Sequence, residues 1–221
     1  MSAVAGEEQQ AATEPVFSVL GVEPVPHAAT PTLRFALHLT EPLGREVLTI
    51  ALSTQVHIDP ARRVYDDETK QRLVDLFGTP ERWGATTHSL QWARVETLVP
   101  GFTGATSFDL EVPCTYDLEV AAGKYFYSLP DGQAPLSFHF TGMVLYRGEH
   151  DRLQVAQVPW SCSAKWSMPV AAWRSAVTAQ YPGGGWVRLS PETLDALVAL
   201  KAAGGFHTYD ALVADLLGQR P

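Results

Sequence analysis

The chain has 221 residues, 46% of them hydrophobic and 18% charged, so it is long enough to bury a substantial core and too apolar for a disordered polymer. Lys and Arg total 16 against 24 Asp and Glu, and the resulting −8 repels phosphate backbones, which argues against non-specific nucleic-acid binding. No run approaches the roughly 20 apolar residues of a membrane helix, and Cys114 and Cys162 are too few and too far apart for a zinc motif.

Residues 1–14 are small, polar and acidic without periodicity and read as a disordered leader. They contain neither the basic start nor the apolar segment of a signal peptide, so a cytoplasmic location is expected. From Pro15 the pattern becomes β. Phe17 and Val19 begin one strand, and Leu33, Phe35, Leu37 and Leu39 form a second whose other face carries Arg34, His38 and Thr40. After the turn Glu41-Pro42-Leu43-Gly44 comes the longest strand, with Leu48, Ile50, Leu52, Val56 and Ile58 on one face and Gln55, His57 and Asp59 on the other. The short turn suggests that these two strands pair as a hairpin.

Acidic first-turn residues and apolar spacing at Leu73, Leu76 and Phe77 predict a helix over 67–77, ended by Gly78 and Pro80. A strand follows from Leu90 to Leu98, and Pro100 to Gly104 reads as a turn or bulge. The stretch from Val99 to Leu129 reads as β throughout, because Phe108, Leu110 and Val112 alternate with acids and the pattern resumes at Tyr116. Two further alternating runs, around Leu136–Tyr146 and Leu153–Val158, complete the strands, the latter expected to be the last.

Past Pro159 the pattern turns helical. A helix is expected from Met168, with Pro169 in its first turn, to about Tyr181. Beyond Gly183–Gly185, a short strand at Trp186–Leu189 precedes a helix capped by Ser190 and a last helix capped by Thr208. The expected architecture is mainly β with α: an antiparallel β-sandwich over 15–159, immunoglobulin-like or jelly-roll-like with an inserted helix, and a helical module over 160–221. The tail resembles a ribbon-helix-helix unit, whose DNA-reading strand would here rely on Arg188 beside Trp186. Without a basic footprint, self-association or packing on the sandwich is the stronger expectation.

Candidate chemistry is sparse. His38, His57 and His139 lie on polar strand faces, His57 near Gln55 and Asp59, and would form a metal site only if their strands are neighbours. Asp109, Glu111, Asp117 and Glu119 have the spacing of a solvated outer face rather than of paired catalytic acids. No nucleophile elbow is present, the cysteines read as free buried thiols, and no cofactor is expected. Six tryptophans exceed what a small core hides; they fill the seam between sheets and helices or, with Phe206 and Tyr209, offer a docking patch.

The segments FSVLGVEP, RRVYDDE, RLVDLFG, ERWG, LVPGFTGATSFDLEVPCTYDLEVAAGKYF, VPW and WVRL together resemble the bacterial family catalogued as domain of unknown function 6084. That family has no assigned reaction, so the resemblance transfers no catalytic residues. It implies an accessory role beside nickel-iron hydrogenases, whose genes neighbour those of similar chains. The expected function is a non-enzymatic accessory or interaction protein whose Trp186, Arg188, Phe206 and Tyr209 contact a partner. The alternatives are a metal- or carboxylate-dependent enzyme on the sheet face and a DNA-binding regulator.

Overall fold

The computed structural model describes residues 14–114, 117, 120–148, 151–180, 182 and 187–218; of the leader expected over 1–14, residues 1–13 lie outside them. Strands β1 (Val16–Pro24), β2 (Thr32–Thr40) and β5 (Ala105–Pro113) form one antiparallel sheet in the order β1-β2-β5. Strands β3 (Glu46–Ile58), β4 (Leu90–Thr103), β6 (Gln133–Arg147), β7 (Leu153–Val158) and β8 (Ser163–Pro169) form the other. Its order is β4-β3-β6, with β6 pairing both β7 and β8. Leu33, Phe35, Leu37 and Leu39 are fully buried, as their period of two requires. The apolar faces of the two sheets meet: Phe17 stacks on Phe140 at 4.0 Å, and Phe35 lies edge-on to Phe138 at 5.3 Å, Trp92 at 6.1 Å and Trp166 at 6.0 Å.

The expected hairpin between β2 and β3 does not form. Both sides of β2 are taken by β1 and β5, and both sides of β3 by β4 and β6, so the intervening turn carries the chain from one sheet to the other. Glu41 fixes this crossover. Its amide donates to Gly104 O (2.7 Å), where β4 crosses back to β5, and its buried carboxylate accepts from Arg45 N (2.8 Å), Nε (2.9 Å) and Nη2 (2.6 Å). Arg45 in turn lies over the Tyr146 ring at 4.5 Å. The expected turn at Pro100 to Gly104 is narrower: β4 runs on to Thr103, and Gly104 alone, with φ 74°, makes the bend.

Three further expectations are corrected. The stretch from Val99 to Leu129 is not β throughout, because Ala121–Ser128 is a helix whose Ala122, Tyr125 and Phe126 are buried at helical spacing; Tyr116, Leu118 and Glu119 lie outside the described residues. Val158 does not end the sheet, since β8 adds Ala164 and Met168 to the core and takes Met168-Pro169 out of the helix expected there. Val187–Ser190 carries no regular structure, so the short strand of the ribbon-helix-helix resemblance is absent from its described part; Trp186 lies outside.

In chain order the helices are α1 (Asp67–Arg72), α2 (Val74–Phe77), α3 (Trp83–Thr86), α4 (Ala121–Ser128), α5 (Val170–Gln180), α6 (Pro191–Ala203) and α7 (Tyr209–Gly218). The helix predicted over 67–77 is thus α1 and α2, interrupted at Leu73, with Asp66 Oδ1 accepting from Thr69 N (2.7 Å). Ser190 and Thr208 cap α6 and α7 as their sequence signals predict, accepting from Thr193 N (3.2 Å) and Ala211 N (3.1 Å). The chain divides into two compact units, 1–184 and 185–221. In the first, Phe126 of α4 stacks on Trp173 of α5 at 5.5 Å and meets Trp92 at 4.8 Å. Trp173 is buried and Trp83, Trp92 and Trp166 pack partly against the core, whereas Trp160 is 88% exposed.

At Gly142 β6 changes partner: Gln133–His139 pair with β8 and Gly142–Arg147 with β7. A side chain at Gly142 would overlap the carbonyl oxygen of Ala51 on β3, so glycine is required there.

Candidate functional site

The strongest concentration of chemistry lies on the solvent face of the second sheet, where β4, β3 and β6 run side by side. Gln55 and His57 are two residues apart on β3 and share a face; Gln55 is directly opposite His139 on β6, and His57 opposite Ser137. The imidazoles of His57 and His139 lie edge-to-face with centroids 5.3 Å apart. Sequence separation of 82 residues between them hides this contact; the strand order creates it.

Behind His57 stands an ordered polar relay. Ser89, just before β4, places its Oγ 3.2 Å from His57 Nδ1, 3.1 Å from Asp59 Oδ1 and 3.3 Å from Ile58 O. A hydroxyl has one proton, and a carboxylate is the strongest of these acceptors, so Ser89 donates to Asp59 and accepts from His57 Nδ1–H. This assigns the tautomer and leaves His57 Nε2 with a lone pair. Asp59 Oδ2 accepts from Ser137 Oγ and from Arg62 Nη1 (3.2 Å). Its turn is held by Asp59 N donating to Pro135 O (2.9 Å) and by the buried Tyr65 hydroxyl, which donates to Pro60 O (2.8 Å) and meets the Tyr125 hydroxyl at 2.8 Å. Burial pushes the Tyr65 and Tyr125 phenols up, so both stay neutral. Burial also lowers the His57 pKa from 6.5; the His139 charge lowers it further, and Asp59 opposes both.

The remaining predicted residues are dispersed. His38 is on β2, in the other sheet, with Nδ1 3.2 Å from Ser107 Oγ, and so does not join His57 and His139. Asp109 and Glu111 face solvent, held with Glu23 by Arg34 at 3.6, 2.9 and 3.4 Å respectively. Cys114 and Cys162 are free and buried, their thiols pushed up to about 12 and about 11 by burial, so neither is a ready nucleophile. Arg188 is exposed, Phe206 half-buried, and Tyr209 45% exposed under the Lys201 ammonium at 5.3 Å. Among the described residues no group of three or more His, Cys, Asp or Glu converges, and no helix is long and apolar enough to cross a membrane.

One groove lies farther along these strands, and neither histidine lines it. It encloses about 350 Å3 over Ala51, Ser53, Glu96, Leu98, Gly142 and Met143, on the same strands. At its edge Ser53 Oγ donates to Glu96 Oε1 (2.8 Å), while Arg94 Nε reaches both Glu96 Oε1 and Ser53 Oγ at 3.1 Å.

Among curated proteins none matches the chain. Solved structures match distantly. A late embryogenesis abundant (LEA) protein is 10% identical, aligned over 75% of this chain and 76% of its own, with a TM-score of 0.34. β-Glucosidase 3B from Thermotoga neapolitana, in complex with α-D-glucose, is 10% identical over 69% of this chain and 17% of its own, with a TM-score of 0.24. The β-glucosidase from Kluyveromyces marxianus, in complex with glucose, is 9% identical over 71% and 15%, with a TM-score of 0.23. At such scores the likenesses say nothing about activity. The family model is decisive where these are not: it matches residues 12–221, and the chain belongs to DUF6084, a family of unknown function.

Proposed function

We propose that the protein is a non-enzymatic accessory or interaction protein that self-associates through its C-terminal helical pair. The observation that carries this is the exposure of apolar side chains on both helices: Leu194, Val198 and Leu200 on α6, and Val213, Leu216 and Leu217 on α7. On α6 the apolar positions surround the helix rather than form one stripe, a pattern that belongs to buried helices. The unit comprises 37 residues, 185–221, below the roughly 40 at which a domain normally needs oligomerisation or a covalent staple. A second copy supplies the missing cover, since two helix pairs related by a two-fold axis assemble four helices around one apolar interior.

Light scattering coupled to size exclusion tests it. The full chain is expected to be a dimer at micromolar concentration, and a chain ending at Tyr181, or the full chain with Val198→Asp and Leu216→Asp, a monomer. A monomeric full chain, or an unchanged dimer after truncation, refutes the reading. The hydrogenase-linked role implied by the family resemblance belongs to the same proposal, with co-elution of a nickel-iron hydrogenase as its own test.

For the scaffold, we infer an immunoglobulin-like rather than a jelly-roll-like sandwich. What supports it is the distribution of strands, first, second and fifth in one sheet and fourth, third, sixth and seventh in the other, the eighth adding to the sixth, with crossovers at Glu41–Gly44 and Gly104.

A further inference from the structure

The side chains of Gln55, His57 and His139 stand together on the second sheet. With Nδ1–H committed to Ser89, His57 Nε2 is an acceptor, and it faces Gln55 Oε1 at 3.5 Å. At that separation neither atom satisfies the other through a hydrogen bond of ordinary length. Around a tetrahedral ion with bonds of about 2.0–2.1 Å, neighbouring donor atoms are about 3.4 Å apart and two imidazole centroids about 5 Å apart. The observed separations are 3.5 Å for Gln55 Oε1 and His57 Nε2 and 5.3 Å for the centroids of His57 and His139. We propose that Gln55, His57 and His139 bind a divalent transition-metal cation, with the fourth position open to water or to an external ligand.

The surroundings suit this chemistry. Imidazole and amide oxygen are donors for a borderline ion such as Zn(II), and the set lacks the thiolates that favour softer ones. Asp59 and Ser89 orient His57 from behind, the arrangement by which metal-binding histidines are held in one tautomer. The nearest strand-paired cation, Arg94, is already engaged by Glu96 at 3.1 Å, and Lys165 on β8 stands opposite Ser137, beyond the donors.

Isothermal titration of the full chain with ZnCl2 in a non-chelating buffer decides the matter, with thermal melting confirming that each variant folds. One Zn(II) per chain is expected, bound saturably. His57→Ala and His139→Ala each abolish the heat, Ser89→Ala weakens binding roughly tenfold, and Gln55→Glu tightens it by replacing a neutral donor with a charged one. His38→Ala leaves the isotherm unchanged, which separates a built site from adventitious binding by surface histidines. Absence of saturable binding, or binding that survives His57→Ala or falls equally with His38→Ala, overturns the proposal. None of these outcomes bears on dimerisation, which the helical pair governs separately.

Discussion

The outer faces of the two sheets carry the same local contact and put it to different use. On the first sheet His38 rests on Ser107 at 3.2 Å, and on the second His57 rests on Ser89 at the same distance. Beside His38, however, charge is already paired: Arg34 on β2 collects Glu23 from β1 and Asp109 and Glu111 from β5. Beside His57 the serine is backed by the Asp59 carboxylate, and a second imidazole and an amide oxygen stand in front. The difference teaches that one histidine–serine contact defines no site. What stands behind the serine sets the tautomer, and what stands in front of the ring sets the ligand.

The largest perturbation erases the contrast altogether. Both faces depend on one interior, and Phe35 reaches rings on β4, β6 and β8 from the opposite sheet. Phe35→Ala is expected to lower the unfolding free energy by about 3–5 kcal/mol, measured by urea denaturation. Next comes the crossover that separates the sheets. Arg45→Ala strands the buried Glu41 carboxylate and is expected to destabilise by about 3 kcal/mol by the same measure, much of it recovered by adding Glu41→Gln.

A smaller effect sharpens the comparison through pH. The His57 pKa is lowered in the folded state, first by burial and then by His139. As pH falls through about 6.5, the unfolded chain takes up the proton before the folded one, so stability falls with acidification and levels off below the folded-state pKa. Thermal melting between pH 7.5 and 5 should show this decline, reduced in His57→Gln and undiminished in His38→Gln. Smallest is the loss of Arg34, whose ion pairs are exposed. Arg34→Met should lower the melting temperature slightly at low ionic strength and indistinguishably from zero at 1 M salt.

The strands were legible where one face meets solvent and the other does not. Leu33, Phe35, Leu37 and Leu39 alternate with polar residues because of that asymmetry. Ser163–Pro169 obeys the same rule, with Ala164 and Met168 buried and Ser163 and Lys165 exposed, yet Trp166 and Pro169, coming soon after Pro159 and Trp160, resemble a boundary. The helix at Ala121–Ser128 was masked because Tyr125 and Tyr127 also fit a two-residue period, while Ala122, Tyr125 and Phe126 carry the helical one. Which strands pair is not encoded in either period. The hairpin expected of β2 and β3 failed for that reason, and for the same reason spacing could group His57 with Gln55 but could not separate His38 from His139.

The change of partner along β6 gives this sheet a divided margin. β7 and β8 each bond to a different length of the same strand, so the loss of one leaves the ladder of the other intact. The β7 half carries Leu153 and Val155 in water, whereas at the start of the β8 half Cys162 Sγ reaches Pro15 O (3.5 Å) and Ser161 reaches Glu14 (2.8 Å), tying it to the chain leading into β1. Backbone amides of 142–147 that face β7 are therefore expected to exchange with deuterium sooner than those of 133–139 that face β8, so that a single continuous strand keeps two clocks.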